Sequence, residues 1–228
     1  MSMPSAEPPE PGDLAQPRFA AADVGGTFRN GRIGVQANAR LTGQTAAILI
    51  VLLGIEGMTL VSIRRLITMH VFVGMLLVPP VLLKMCTTGW RFVKYYTGDS
   101  AYRQKGPPPL PLRLMGPIVL VSTALVFGSG IALLLTPASL RNQLLLVHKA
   151  SFVLWFGAMT IHVLAHILET SRLAPADLVR RTRQEVRGAG ARLWTVAGSL
   201  VVGALFGLVM LPAVDHWLVQ GGPGLGGG

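Results

Sequence analysis

Residues 144–167 read LLLVHKASFVLWFGAMTIHVLAHI, twenty-four positions with a single formal charge, Lys149. A bilayer core takes about 20 mostly apolar residues to cross. The stretch has the length and the composition for one crossing. It shows no period of two, so it is not a barrel strand. A helix is the other way to satisfy its backbone in hydrocarbon. His148 and His162 stand fourteen positions apart within it. On a helix that is about 21 Å of rise and about −40° of rotation, so both imidazoles leave one face at two depths.

Four more stretches have the same character: 44–63, 66–86, 115–136 and 194–213. The chain of 228 residues is 51% hydrophobic and 13% charged, with a mean hydropathy of +0.54. A soluble domain carries about 25% charged residues. The composition excludes a soluble α/β enzyme and a disordered chain. Cys86 is the single cysteine, which excludes a disulfide framework and any cysteine-built zinc or iron–sulfur site. The expected fold is an all-α transmembrane five-helix membrane bundle. Its parts are a flexible arm over 1–43, a four-helix core over 44–170 and a basic loop over 171–192. A fifth helix over 193–213 and a Gly-rich flexible tail over 214–228 complete it. The arm lacks an apolar core segment of the kind a cleaved signal peptide carries. Pro79-Pro80 predicts a kink in the second span, and GPPPLP at 106–111 a stiff connector.

The net charge of +10 is distributed by topology rather than gathered for nucleic acid. Arg18, Arg29, Arg32 and Arg40 precede the first span. Arg91, Lys94, Arg103, Lys105 and Arg113 follow the second. Arg172, Arg180, Arg181, Arg183, Arg187 and Arg192 follow the fourth. These fifteen share one side, against Arg64, Arg65 and Arg141 on the other. The excess predicts a bacterial-type inner or plasma membrane protein with a cytoplasmic N-terminus and an outside C-terminus. Its basic side faces anionic lipid. Trp90, Tyr95, Tyr96 and Tyr102 read as an interfacial belt at that side.

Four of the five histidines lie in or beside the spans, where an imidazole needs a partner. His70 and His148 fall at roughly 9 and 11 Å outward of the midplane, on two different helices. Two imidazoles at one depth suit the two faces of a haem b iron. Gly74, Gly128 and Gly130 would let backbone approach a flat cofactor, or serve ordinary helix packing. Lys149 either pairs with a propionate or snorkels to the surface, and Arg64 and Arg65 are further propionate partners or part of a solvated turn. Glu56, about 4 Å outward of the middle of its span, is a proton acceptor for quinol or a neutral hydrogen-bonded acid. His162 and His166, at i,i+4 spacing with Glu169 nearby, allow a divalent metal as an alternative.

HKASFVLWFGAMTIH, with His148 and His162, resembles the fourth-helix pattern of the cytochrome b561 family and related bacterial membrane-bound cytochrome b subunits. His70 matches the outer partner, and the resemblance covers roughly 44–170. It implies a four-helix cytochrome b-like core with two haems b, the outer one between the second and fourth helices. It also implies an inner haem between His162 and a histidine on the first helix. Here that position offers Gln44, Thr45, Ala46 and Ala47, and no histidine precedes His70. One haem is therefore expected, with a second possible at His162. Lys84 and Met85 are the nearest substitute ligands there.

The chain reads as a haem b electron-transfer subunit of a respiratory chain rather than a stand-alone enzyme. Its expected partners are quinone or quinol, a redox protein subunit and membrane lipid, with no nucleic acid. His162 and His166 join Glu56 as a proton or quinone path. The alternative is a haem-free membrane anchor or assembly subunit. DVGGTF at 23–28 has no strand–helix context and is not a nucleotide-binding loop.

Overall fold

The structure, a computed structural model, describes residues 18–104, 106 and 110–219. Among these it contains helices and turns and no strand. Helix α1 runs Arg18–Val61, α2 Ile63–Tyr96, the short α3 Ser100–Gln104, α4 Leu110–Leu135 and α5 Ala138–Leu173. A 3-10 turn, Ala174–Asp177, leads to the four-residue α6, Arg180–Arg183, and then to α7, Ala189–Val219. Five of the helices are long and apolar enough to cross a membrane. The expected connector at 106–111 and the outer parts of the arm and tail lie largely outside the described residues.

Three expected boundaries move. The arm of 1–43 is helical from Arg18, and α1 is one continuous rod. Glycines had marked this region as loose, yet tertiary contacts override that preference. A Cβ on Gly43 would sit 2.6 Å from the Leu173 Cβ. Asn38 Nδ2 donates to the Thr87 carbonyl at 3.0 Å. At the other terminus α7 continues to Val219, so 214–219 belong to the helix rather than to a tail. In α2 the backbone stays helical through Pro79 and Pro80, and the break lies at Leu66 (φ −108°, ψ 17°). That break directly follows the connection at Ser62, the one residue separating α1 from α2.

Contacts run from α4 to α5, α5 to α1, α1 to α2, α2 to α7 and, lightly, α7 to α4, a ring crossed by similarly light contacts of α1 with α7 and of α2 with α4. Helix α7 packs along α2 more extensively than any other pair meets. Glycine makes this possible. A Cβ on Gly203 would strike the Leu76 carbonyl oxygen, and one on Gly207 would lie 2.7 Å from the Phe72 ring. Gly203 and Gly207 are spaced as a small-xxx-small pair, which lets two backbones touch. Leu49, Val73 and Leu77 fill the α1–α2 seam, and Met75, Leu134 and Val214 the seam among α2, α4 and α7.

Many large aliphatic side chains face outward, while Thr45, Thr59, Ser122, Thr123, Ser129 and Ser151 are buried. All of these hydroxyls but that of Thr123 bond back to helix carbonyls, as Ser122 does to Ile118 at 2.7 Å. Trp155 Nε1 donates to Thr123 Oγ1 at 3.0 Å and joins α5 to α4.

The basic segment 171–192 is folded rather than an open loop. Asp177 is 0% exposed and is held by residues far apart in sequence. Arg192 meets both carboxylate oxygens through Nε and Nη2, the latter at 2.7 Å. Arg40 Nη1 donates at 3.1 Å and Gln44 Nε2 at 2.9 Å. Arg40 also reaches the Thr182 carbonyl at 2.7 Å and Glu185 Oε2 at 3.0 Å. Two arginines expected as solvated topology charges are thus internal, and they tie α1, the 3-10 turn and α7 at one end of the ring.

Two substitutions test this architecture. Gly203→Ala should destabilise the protein by roughly 1–3 kcal/mol through overpacking. Gly198→Ala, with nothing within 4 Å of the added carbon, should be near neutral. Asp177→Ala takes the carboxylate from the buried Arg192 and leaves Arg40 only Glu185, and it should cost about 3–5 kcal/mol. Thermal unfolding of the detergent-solubilised chain measures both, and Asp177→Ala should also open 174–188 to protease.

Candidate functional site

The ring brings His70 and His148 together across its interior. Helices α2 and α5, which carry them, are not among the pairs in close backbone contact. Their imidazole centroids are 6.5 Å apart with planes at 80°. The depth match read from the sequence is met in space.

Each ring is fixed through Nδ1. His70 Nδ1 lies 2.9 Å from Glu56 Oε1 and 3.0 Å from Thr59 Oγ1. The Thr59 hydroxyl hydrogen is directed to the Glu56 carbonyl at 2.6 Å, so Thr59 can only accept from the ring. Nδ1 therefore carries the proton and Nε2 the lone pair. His148 Nδ1 lies 3.0 Å from the Val126 carbonyl, which has no proton to give, so this ring too is protonated at Nδ1. Ser129 Oγ stands 3.1 Å from the same nitrogen and donates its own hydrogen to the Leu125 carbonyl at 2.6 Å. Both rings therefore present Nε2 as a base, and among the described residues neither Nε2 is hydrogen-bonded. A metal-bound histidine has this arrangement, with its other nitrogen donating to a carboxylate or a carbonyl.

The glycines divide. A Cβ on Gly130 would lie 3.1 Å from His148 Cε1, so the bare backbone there sets the ring position. Gly74 stands in ordinary contact with Glu56, at 3.6 Å. Gly128 has no atom within 4 Å of an added Cβ and faces open space. Lys149 is exposed.

His162 and His166 do not join this group. They line a separate cleft of about 120 Å³ among α1, α2, α3 and α5, toward the end that carries Asp177. Their rings stand 4.9 Å apart, and His166 Nδ1 is 3.5 Å from Glu169 Oε2. Lys84 faces the same cleft and donates to the Thr42 carbonyl at 3.1 Å. Tyr102, expected in the interfacial belt, is buried on this wall, and burial pushes its phenol up. Trp90 and Tyr96 do remain exposed. On α1 the position where the resemblance wants a histidine holds Gln44, and its side chain is taken by Asp177. No imidazole faces His162 from another helix. Among the described residues no three His, Cys, Asp or Glu side chains are placed together to hold a metal ion. The expected single path through Glu56, His162 and His166 also separates, because Glu56 belongs with His70.

Comparison with family models, with curated proteins and with solved structures finds no match to this chain.

The sequence reading placed Glu56 near the first site by depth but missed its contact with His70. It also missed Thr59, Ser129 and the Val126 carbonyl. Ser129 lies inside the FGSG stretch, between the two glycines that had drawn notice. The signal for Glu56 was available, since it and His70 stand close in sequence on either side of a one-residue reversal.

Proposed function

We propose that the chain is a membrane-integral haem b subunit that passes electrons between the quinone pool and a partner oxidoreductase. The observation that carries this reading is the His70–His148 pair. Their ring centroids stand 6.5 Å apart although they come from two helices. The residues fit the group in chemistry as well, with two neutral imidazoles, each held through the nitrogen that does not ligate.

His70 and His148 would hold the haem iron. Haem b bound between them supplies reversible one-electron transfer. Glu56 makes the His70 imidazole a stronger donor through its hydrogen bond at Nδ1, and the Val126 carbonyl does the same for His148. Glu56 Oε2 is buried and has no hydrogen-bond partner among the described residues, so this carboxylate keeps an acceptor for a quinol proton. The apolar outer faces of the five long helices suit residence in a bacterial-type inner membrane. The excess of Lys and Arg supports a cytoplasmic setting for the end carrying Asp177, with the N-terminus on that side and the C-terminus outside. His162 lacks a facing ligand, which supports one haem per chain.

Purified protein from haem-replete cells should show a reduced-minus-oxidised α-band of haem b, at about one haem per chain by pyridine haemochrome. His70→Ala and His148→Ala should each abolish the band, while His162→Ala should retain it. A colourless wild-type protein would replace this reading with that of a haem-free anchor or assembly subunit. Glu56→Gln should keep the band but weaken haem retention about 10–100-fold. It should also raise the midpoint potential, because the neutral amide stabilises the ferric form less; redox titration checks this.

A further inference from the structure

We infer that the cleft among α1, α2, α3 and α5 binds an anionic phosphate group, supplied by a phospholipid headgroup or by free phosphate. Lys84 and Arg91 face it from α2, and His162 and His166 from α5. Glu169 is the one acid on its wall. Two basic side chains, Lys84 and Arg91, against one carboxylate give the wall an excess of nitrogen donors suited to an anion. The Lys84 ammonium has three N–H donors, and one of them is directed to the Thr42 carbonyl at 3.1 Å. The Tyr102 hydroxyl adds a neutral donor from α3.

Position selects the ligand. Lys84 is twenty-one residues beyond Ile63, the first residue of α2. That is about 32 Å along the axis, close to the roughly 30 Å thickness of a hydrocarbon core. Arg91 lies two turns further on. The cleft therefore stands where one face of the bilayer turns from acyl chain to headgroup, at the end of the molecule richest in Lys and Arg. Basic pockets between transmembrane helices at such a level hold phosphate-bearing headgroups. A volume of about 120 Å³ admits a phosphate with part of its ester, leaving any acyl chains outside along α2 and α5. The inference is independent of haem at the other end, because none of these side chains touches His70 or His148.

The test uses the full chain, with or without haem, in neutral detergent and in nanodiscs of phosphatidylcholine with graded phosphatidylglycerol. Native mass spectrometry should show phosphatidylglycerol retained by the wild type. Retention should fall about fivefold in each of Lys84→Met and Arg91→Gln, the loss expected for one Lys or Arg contact to anionic lipid. Arg181→Gln, exposed on α6, should not change it. The second arm is thermal unfolding with inorganic phosphate against chloride at matched ionic strength. Stabilisation by phosphate that Lys84→Met and Arg91→Gln remove, without selective retention of phosphatidylglycerol, assigns the site to free phosphate. Equal phosphatidylglycerol retention in wild type and both cleft variants, together with no phosphate-specific stabilisation, overturns the inference.

Discussion

A polar atom inside a hydrocarbon layer has to find its partner within the chain, and this requirement shapes the protein at every level. It makes the five long segments helical, since a helix is the one open-ended structure that satisfies its own backbone. It turns most of the buried serine and threonine hydroxyls back onto carbonyls of their own helices. It also decides where each ionisable group goes. Glu56 meets His70, His148 meets the Val126 carbonyl, Lys84 meets the Thr42 carbonyl and Asp177 is enclosed by Arg40, Gln44 and Arg192. Apolar burial plays the smaller part, because the largest aliphatic side chains mostly face outward.

The two ends of the ring use this requirement differently. At the Asp177 end the carboxylate itself is matched, although Gln44 Oε1 is buried without a hydrogen-bond partner among the described residues. A carboxylate facing two guanidiniums and an amide is saturated, and its work is to hold α1, the 3-10 turn and α7 in register. At the His70 end the groups are only half matched. Each imidazole is anchored through one nitrogen and keeps the other as a base, and Glu56 keeps one buried oxygen without a partner. Saturation suits a structural clasp, and half-satisfied groups suit a binding site. This contrast is the main reason to seek the chemistry at His70 and His148 rather than at the larger charge cluster.

The fold class and the helix count were legible in hydropathy alone, because the bilayer imposes a length that soluble folds do not. The His70–His148 meeting was legible too, since depth follows from rise per residue. Azimuth was harder. Rise places Glu56 and His70 near one level, but whether they face each other depends on how the reversal at Ser62 is wound. The role of α7 was hidden for a similar reason. Gly203 and Gly207 show that a helix can approach closely, and say nothing of which helix it approaches. Arg40 and Arg192 were misjudged because a count of Lys and Arg treats all as solvated, whereas Asp177, which gathers them, is one acid in a basic stretch. The arm was misjudged because its glycines lower helix preference, and long-range contacts from 38, 40 and 43 outweigh that.

The single-residue reversal at Ser62 also bears on how the protein is made. Glu56, Thr59 and His70 leave the ribosome almost together, and their contact forms within one inserting hairpin. His148 follows seventy-eight residues later, after α4. One half of the site is thus set before the other has been synthesised. A chain stalled or cut between α2 and α5 would carry a finished Glu56–His70 pair with nothing opposite it. Maturation of the centre is therefore gated by the arrival of α5 and not by the folding of its first ligand.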